Sequence, residues 1–117
     1  MFDFEKLQVY QKAKEFNLEI KKHILSLASL DKSGKDQLRR ASMSILLNIA
    51  EGTSRFSNAD KKNFYVISRG RVFECIAIND LLESENIISS ETKVKIYHKA
   101  EEISKMLYAM IKNLEKK

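Results

Sequence analysis

Hydrophobic residues recur at helical spacing along almost the whole chain. Leu7, Tyr10, Ala13, Ile20, Ile24 and Leu27 form one stripe, widened by Val9 and Phe16. They predict a first helix over about residues 4–30. Ser29 to Gly34 breaks it, and Ser33-x-x-Asp36 reads as a capping start for a second helix that ends near Ser54. Ser57-x-x-Asp60 starts a third, running to about Ser84. Its inner stripe is read as Phe64, Ile67, Arg71, Cys75, Ile78 and Leu82, with a second stripe of Val66, Gly70, Phe73, Ala77 and Leu81. Gly70 inside this helix should mark a close helix contact or a kink, since glycine there costs about 1 kcal/mol relative to alanine. After Ser89 and Ser90 the fourth helix carries the cleanest heptad, Ile96, Ala100, Ile103, Leu107, Met110 and Leu114. Four helices with short connections make antiparallel neighbours. The expected fold is all-α, an antiparallel up-down-up-down four-helix bundle formed by residues 1–117 as one domain.

The second helix departs from the usual amphipathic pattern. From Ala41 to Ala50 its only polar side chains are Ser42, Ser44 and Asn48. Ile45 and Ile49 supply one apolar flank, and Met43, Leu47 and Ala50 another. A surface helix of a small domain normally keeps a charged face, so the second flank is expected at a contact between subunits. Arg40, Ser44, Asn48, Glu51 and Arg55 are three or four residues apart and lie along one polar stripe.

Composition narrows the classes. Proline is absent and there are three glycines in 117 residues, which suits long helices. No run of eighteen apolar residues exists, so no membrane span is expected. The acidic start, Met1 to Glu5, does not read as a signal peptide, and a lone Cys75 excludes an internal disulfide. A cytoplasmic protein with a buried, reduced cysteine is the expectation. The net charge of +5 is uneven: residues 1–71 hold fourteen Lys/Arg against eight Asp/Glu, residues 72–117 seven against eight. A basic side of this kind attracts RNA, DNA or an acidic protein.

Candidate chemistry is sparse. The two histidines, His23 and His98, lack the Glu-x-x-His spacing of di-iron bundles, and one cysteine cannot build a usual zinc site. No phosphate-binding loop, dinucleotide fingerprint or nucleophile turn occurs. The expectation is no enzyme activity, no cofactor and no metal. Glu74 sits on the inner side of the third helix as read here and needs a cation. Arg39 or Arg40 on the second helix is the expected partner, with Arg71 as a local contributor, in a structural ion pair. Arg55, Lys61, Lys62 and Arg69 surround Phe56 and Tyr65, a basic-aromatic combination of the sort used on single strands, and are the candidate nucleic-acid contacts.

Several segments occur in a recognisable order: Leu7-Gln8-Val9-Tyr10-Gln11-Lys12-Ala13, Gln37-Leu38-Arg39-Arg40-Ala41, Ser44-Ile45-x-x-Asn48-Ile49-Ala50-Glu51-Gly52 with Arg55, and Gly70 with Glu74. Over nearly the whole chain this resembles the bacterial four-helix bundle family of proteins encoded in 23S ribosomal RNA intervening sequences. The resemblance implies an antiparallel bundle and a ring-like homo-oligomer, a pentamer. A related accessory protein of diversity-generating retroelements forms a basic pentameric barrel that binds nucleic acid and a reverse transcriptase. Two departures stand out. Leu46 replaces a common proline, and Arg71 follows Gly70 where a serine is usual. The expected function is a non-enzymatic, homo-oligomeric protein binding RNA or DNA through a basic surface. The rival is a protein-interaction module for an acidic partner; an enzyme completed at a subunit interface ranks third.

Overall fold

The structure, a computed structural model, describes residues 1–116. Four helices run up, down, up and down: α1 (Gln8–Ile20), α2 (Lys32–Thr53), α3 (Asn58–Ser84) and α4 (Ser90–Glu115). They form an elongated body of 47 × 24 × 21 Å around one core. None is long and apolar enough to cross a membrane.

The first helix is shorter than its periodicity suggests. A single 3₁₀ turn, Asp3–Lys6, precedes it, and Leu7 between them is extended. The Phe4 ring packs edge-on against Tyr10 at 4.8 Å, and Gln11 Nε2 donates to the Glu5 carbonyl at 3.0 Å. These contacts hold the turn folded back. At the other end the helix widens into a π turn, Lys21–Leu25, across which Ile20 and Ile24 both remain fully buried.

Caps define the other starts. Asp31, not Ser33, caps α2: its carboxylate accepts the Gly34 N–H at 2.7 Å. Ser57 accepts from Asp60 N–H and Ser89 from Thr92 N–H, each at 3.1 Å, as expected of hydroxyl caps. The α3–α4 turn is closed by Asn86 at φ 61°, with Ile87 N–H returning to the Leu82 carbonyl at 2.9 Å.

The core takes Val9, Ala13, Phe16, Ile20 and Ile24 from the first helical segment, Leu38, Ala41, Ile45 and Ile49 from α2, and Ile96, Ala100, Ile103, Leu107 and Ile111 from α4. In α3 the buried stripe is Tyr65, Ser68, Val72, Cys75, Asn79 and Leu82. Only Cys75 and Leu82 of the expected inner stripe lie there; Ile67 and Arg71 are exposed. Two of the six core positions are polar and donate across helices, while the buried Asn79 Oδ1 accepts from no group among the described residues. Ser68 Oγ donates to the Ile45 carbonyl at 2.7 Å, and Asn79 Nδ2 to the Lys93 carbonyl at 3.0 Å.

Candidate functional site

The four cations expected on nucleic acid are all engaged within the chain. Arg55 pairs with Glu51 at 3.1 Å and lies over the Phe64 ring at 4.6 Å. Lys61 Nζ donates to the Thr53 carbonyl at 3.1 Å, on the α2 side. Lys62 Nζ meets the Glu115 carboxylate at 2.6 Å, on the α4 side. That hydrogen bond, with one from Lys112 behind it, holds the Glu115 carboxyl below its ordinary pKa. Arg69 Nε donates to the Ser104 carbonyl at 3.2 Å, its guanidinium between the Phe73 and Tyr108 rings at 5.0 and 5.2 Å. Of the two aromatic residues expected beside them, Phe56 is fully exposed and Tyr65 is buried. The Tyr65 hydroxyl lies 2.9 Å from Thr53 Oγ1. Thr53 gives its own proton to the Ile49 carbonyl at 2.9 Å, so Tyr65 is the donor. Tyr65 is therefore no platform for a base.

Glu74 also finds a different partner. It pairs with Arg71 at 3.0 Å, with about a third of its side chain exposed. Among the described residues neither Arg39 nor Arg40 comes within ion-pair distance of it. Arg40 lies with Arg71 and Glu74 along an open groove of about 810 Å³ between α2 and α3, also lined by Lys32 and Asp36. A residue three positions away on the same helix reaches a half-exposed carboxylate without spanning that groove. Burial and the Glu74 charge push the neighbouring Cys75 thiol up to about 12, so this buried sulfur stays protonated.

The apolar surface proves larger than expected, and on a second helix. Met43 and Leu47 are exposed as read from the sequence, whereas Ala50 is half-covered by the chain's own start, lining a pocket with Phe2 and Phe4. On α3 the second stripe, Val66, Gly70, Phe73, Ala77 and Leu81, faces solvent throughout. Phe73 and Leu81 are more than half exposed. A methyl group built at Gly70 would have no heavy atom within 4 Å, so within one chain this glycine marks no close contact. Gly70 instead helps form the floor of a groove of about 380 Å³ with Val66, Phe73 and Tyr108.

The polar stripe of α2 is satisfied along its own helix. Asn48 Nδ2 donates to the Ser44 carbonyl and hydroxyl at 2.8 and 2.9 Å. Gly52 is a packing position. A methyl group there would lie 2.8 Å from Tyr65 Cε1 and 2.9 Å from Phe64 Cβ. The run Asn48 to Gly52 thus ends where Phe64 and Tyr65 of α3 pack directly on α2. Among the described residues no group of three or more His, Cys, Asp or Glu side chains converges as a metal site would require.

The fold is shared. A crystal structure of a protein of unknown function from the S23 ribosomal protein family of Bacteroides thetaiotaomicron superposes with a TM-score of 0.82 at 26% identity, covering 89% of this chain and 98% of that one. No curated protein matches the chain. The family model described as 23S rRNA-intervening sequence protein matches residues 5–109, a span that takes in the α2 motif, Gly70 and Glu74. By that match the chain belongs to the 23S rRNA-intervening sequence protein family.

Proposed function

We propose that this protein is a non-enzymatic bundle that self-associates through the outward faces of α2 and α3 and, assembled, binds RNA or DNA through its basic surface. The observation that carries the first half is the exposed α3 stripe from Val66 to Leu81. A contiguous apolar strip of this kind on a small monomer is a contact surface awaiting cover. Gly70 at its centre supports the same reading: its helix cost is offset if a second helix closes on the bare backbone. Met43 and Leu47 form a separate apolar patch on α2. Two different patches on one chain favour a heterologous contact, and heterologous contacts close into rings. Five copies is the specific form that the family resemblance implies.

The charge balance of residues 1–71 supports the second half, since binding to a phosphate backbone draws on net positive charge. Light scattering coupled to size exclusion tests assembly. A closed oligomer is expected at micromolar concentration and physiological salt, and a monomer would end the proposal. Titration of duplex and single-stranded RNA and DNA at low salt tests binding. Affinity that collapses as salt rises is expected; an acidic protein that binds while every nucleic acid fails would favour the protein-interaction reading instead.

A further inference from the structure

We infer that the nucleic-acid backbone lies along the seam between α1 and α2, on Lys14, Lys21, Lys35 and Arg39, and that the nucleic acid is double-stranded. The inference rests on the nucleic-acid reading above and names its surface.

One hydrogen bond orients the seam. Ser42 Oγ of α2 donates to Asn17 Oδ1 of α1 at 3.0 Å. Residues three or four positions from Asn17 share its side of the first helix, which places Lys14 and Lys21 there. By the same spacing Arg39, three residues before Ser42, and Lys35, seven before it, share the facing side of α2. Lys14, Lys21 and Arg39 are exposed and Lys35 is half-buried. No acidic residue falls on either stripe: α1 offers Tyr10, Lys14, Asn17 and Lys21, and α2 offers Lys35, Arg39, Ser42 and Leu46.

Pairing separates these cations from seven others, though Lys6, Lys22, Lys32, Arg40 and Lys99 likewise have no carboxylate partner among the described residues. Lys12, on the opposite flank of α1, is bound to Glu102 at 3.5 Å. Lys62, Lys93, Lys105, Lys112, Arg55 and Arg71 all have carboxylate partners as well. Among the described residues none of the four seam cations has an ion-pair partner. Four like charges kept together without counter-charge repel one another, and a polyanion relieves that repulsion while releasing its condensed counterions.

The geometry selects phosphates rather than bases. Seven residues separate Lys14 from Lys21, about 10 Å along the helix, or roughly three phosphate steps of a duplex strand. The one aromatic residue on the seam, Tyr10, is half-buried against Phe4, so no free ring is offered for stacking. A duplex, whose bases are already stacked, needs no such ring. The seam also lies on a different side of the bundle from the α3 stripe, and the α2 patch of Met43 and Leu47 borders it, with Met43 one turn from Arg39.

The test is fluorescence anisotropy with a labelled 20-base-pair duplex, with a single strand of the same length, and with polyglutamate as competitor. Lys14→Gln, Lys21→Gln, Lys35→Gln and Arg39→Gln together should weaken duplex binding at least about tenfold at low salt. They should also flatten the slope of log affinity on log salt by about 3 to 4, one contact contributing about 0.9. The pair Lys14→Gln and Lys21→Gln, both fully surface positions, should give about half that slope change. Lys61→Gln, Lys62→Gln and Arg69→Gln together should leave both quantities near the wild type. A seam variant that binds and titrates like wild type, while the second set loses binding, overturns the seam and leaves the proposed function standing. Tighter binding of the single strand than of the duplex, or equal displacement by polyglutamate at matched charge, overturns the assignment of a duplex backbone. Wild-type protein that binds no nucleic acid removes the functional reading and the seam with it.

Discussion

The α1–α4 side and the outward faces of α2 and α3 treat solvent in opposite ways. Where α1 meets α4, charge is matched across the helices: Lys12 bridges to Glu102 at 3.5 Å, and His23 Nε2 lies 3.0 Å from Glu19 and 3.3 Å from Lys95. The exposed apolar residues of α4, Val94, Tyr97 and Tyr108, are interleaved with His98, Glu101 and Lys105. The outer face of α3 has no such interleaving. Between Val66 and Leu81 the stripe Val66, Gly70, Phe73, Ala77 and Leu81 is apolar or glycine, flanked on one edge by the paired Arg71 and Glu74 and on the other by Arg69 and Asp80. Paired surface charge is a solution for water; a long apolar strip beside it is a solution for another protein surface. On the proposed reading the same helix builds two interiors, one within the chain and one outside it.

The largest effect should come from charging the apolar side. Phe73→Glu with Leu81→Glu should convert the oligomer to monomers, read by light scattering, while leaving helix content and melting cooperativity intact. Loss of folding instead would mean that the strip is structural within one chain. Gly52→Ala comes next. Its methyl group would press on Tyr65 and Phe64, and overpacking of this kind costs about 1–3 kcal/mol in chemical denaturation. Glu74→Ala should cost no more than about 1 kcal/mol, as for an exposed pair. A loss of several kcal/mol would show that assembly buries Glu74 against a cation of a neighbouring subunit, where removal of one partner is severe. Lys12→Ala, on the solvent-adapted side, should be smallest, about 0.2–1 kcal/mol and fading with added salt.

Much of the bundle was legible in the sequence, and the misreadings have physical causes. The extents of α2, α3 and α4 follow from their caps and periodicity. The buried faces of α1 and α4 follow because each has one apolar stripe and a charged remainder. The register of α3 was misread because that helix is apolar nearly all round: Val66, Phe73 and Leu81 outside match Val72, Cys75 and Leu82 inside. Its true core face includes Ser68 and Asn79, residues that a hydrophobic pattern counts against burial. Their acceptors, the carbonyls of Ile45 and Lys93, belong to other helices and leave no mark in the sequence. The candidate site was legible only as composition. That Lys62 is taken by Glu115, more than fifty residues away, while Lys35 and Arg39 are left without a carboxylate, is a tertiary fact.

Three of the buried polar groups share a property that the apolar core lacks. Ser42 ties α2 to α1, Ser68 ties α3 to α2, and Asn79 ties α3 to α4. Apolar stripes on antiparallel helices could slide by one heptad, about 10 Å, and still meet apolar partners. Such a slide would part Ser68 and Asn79 from their acceptors in a dry interior and leave Ser42 only the Arg39 carbonyl of its own helix. They act as detents, stopping the helices at one axial setting. Every copy of the chain therefore presents its α3 stripe and its α1–α2 cations at the same two heights, the geometric uniformity without which identical subunits cannot close a ring.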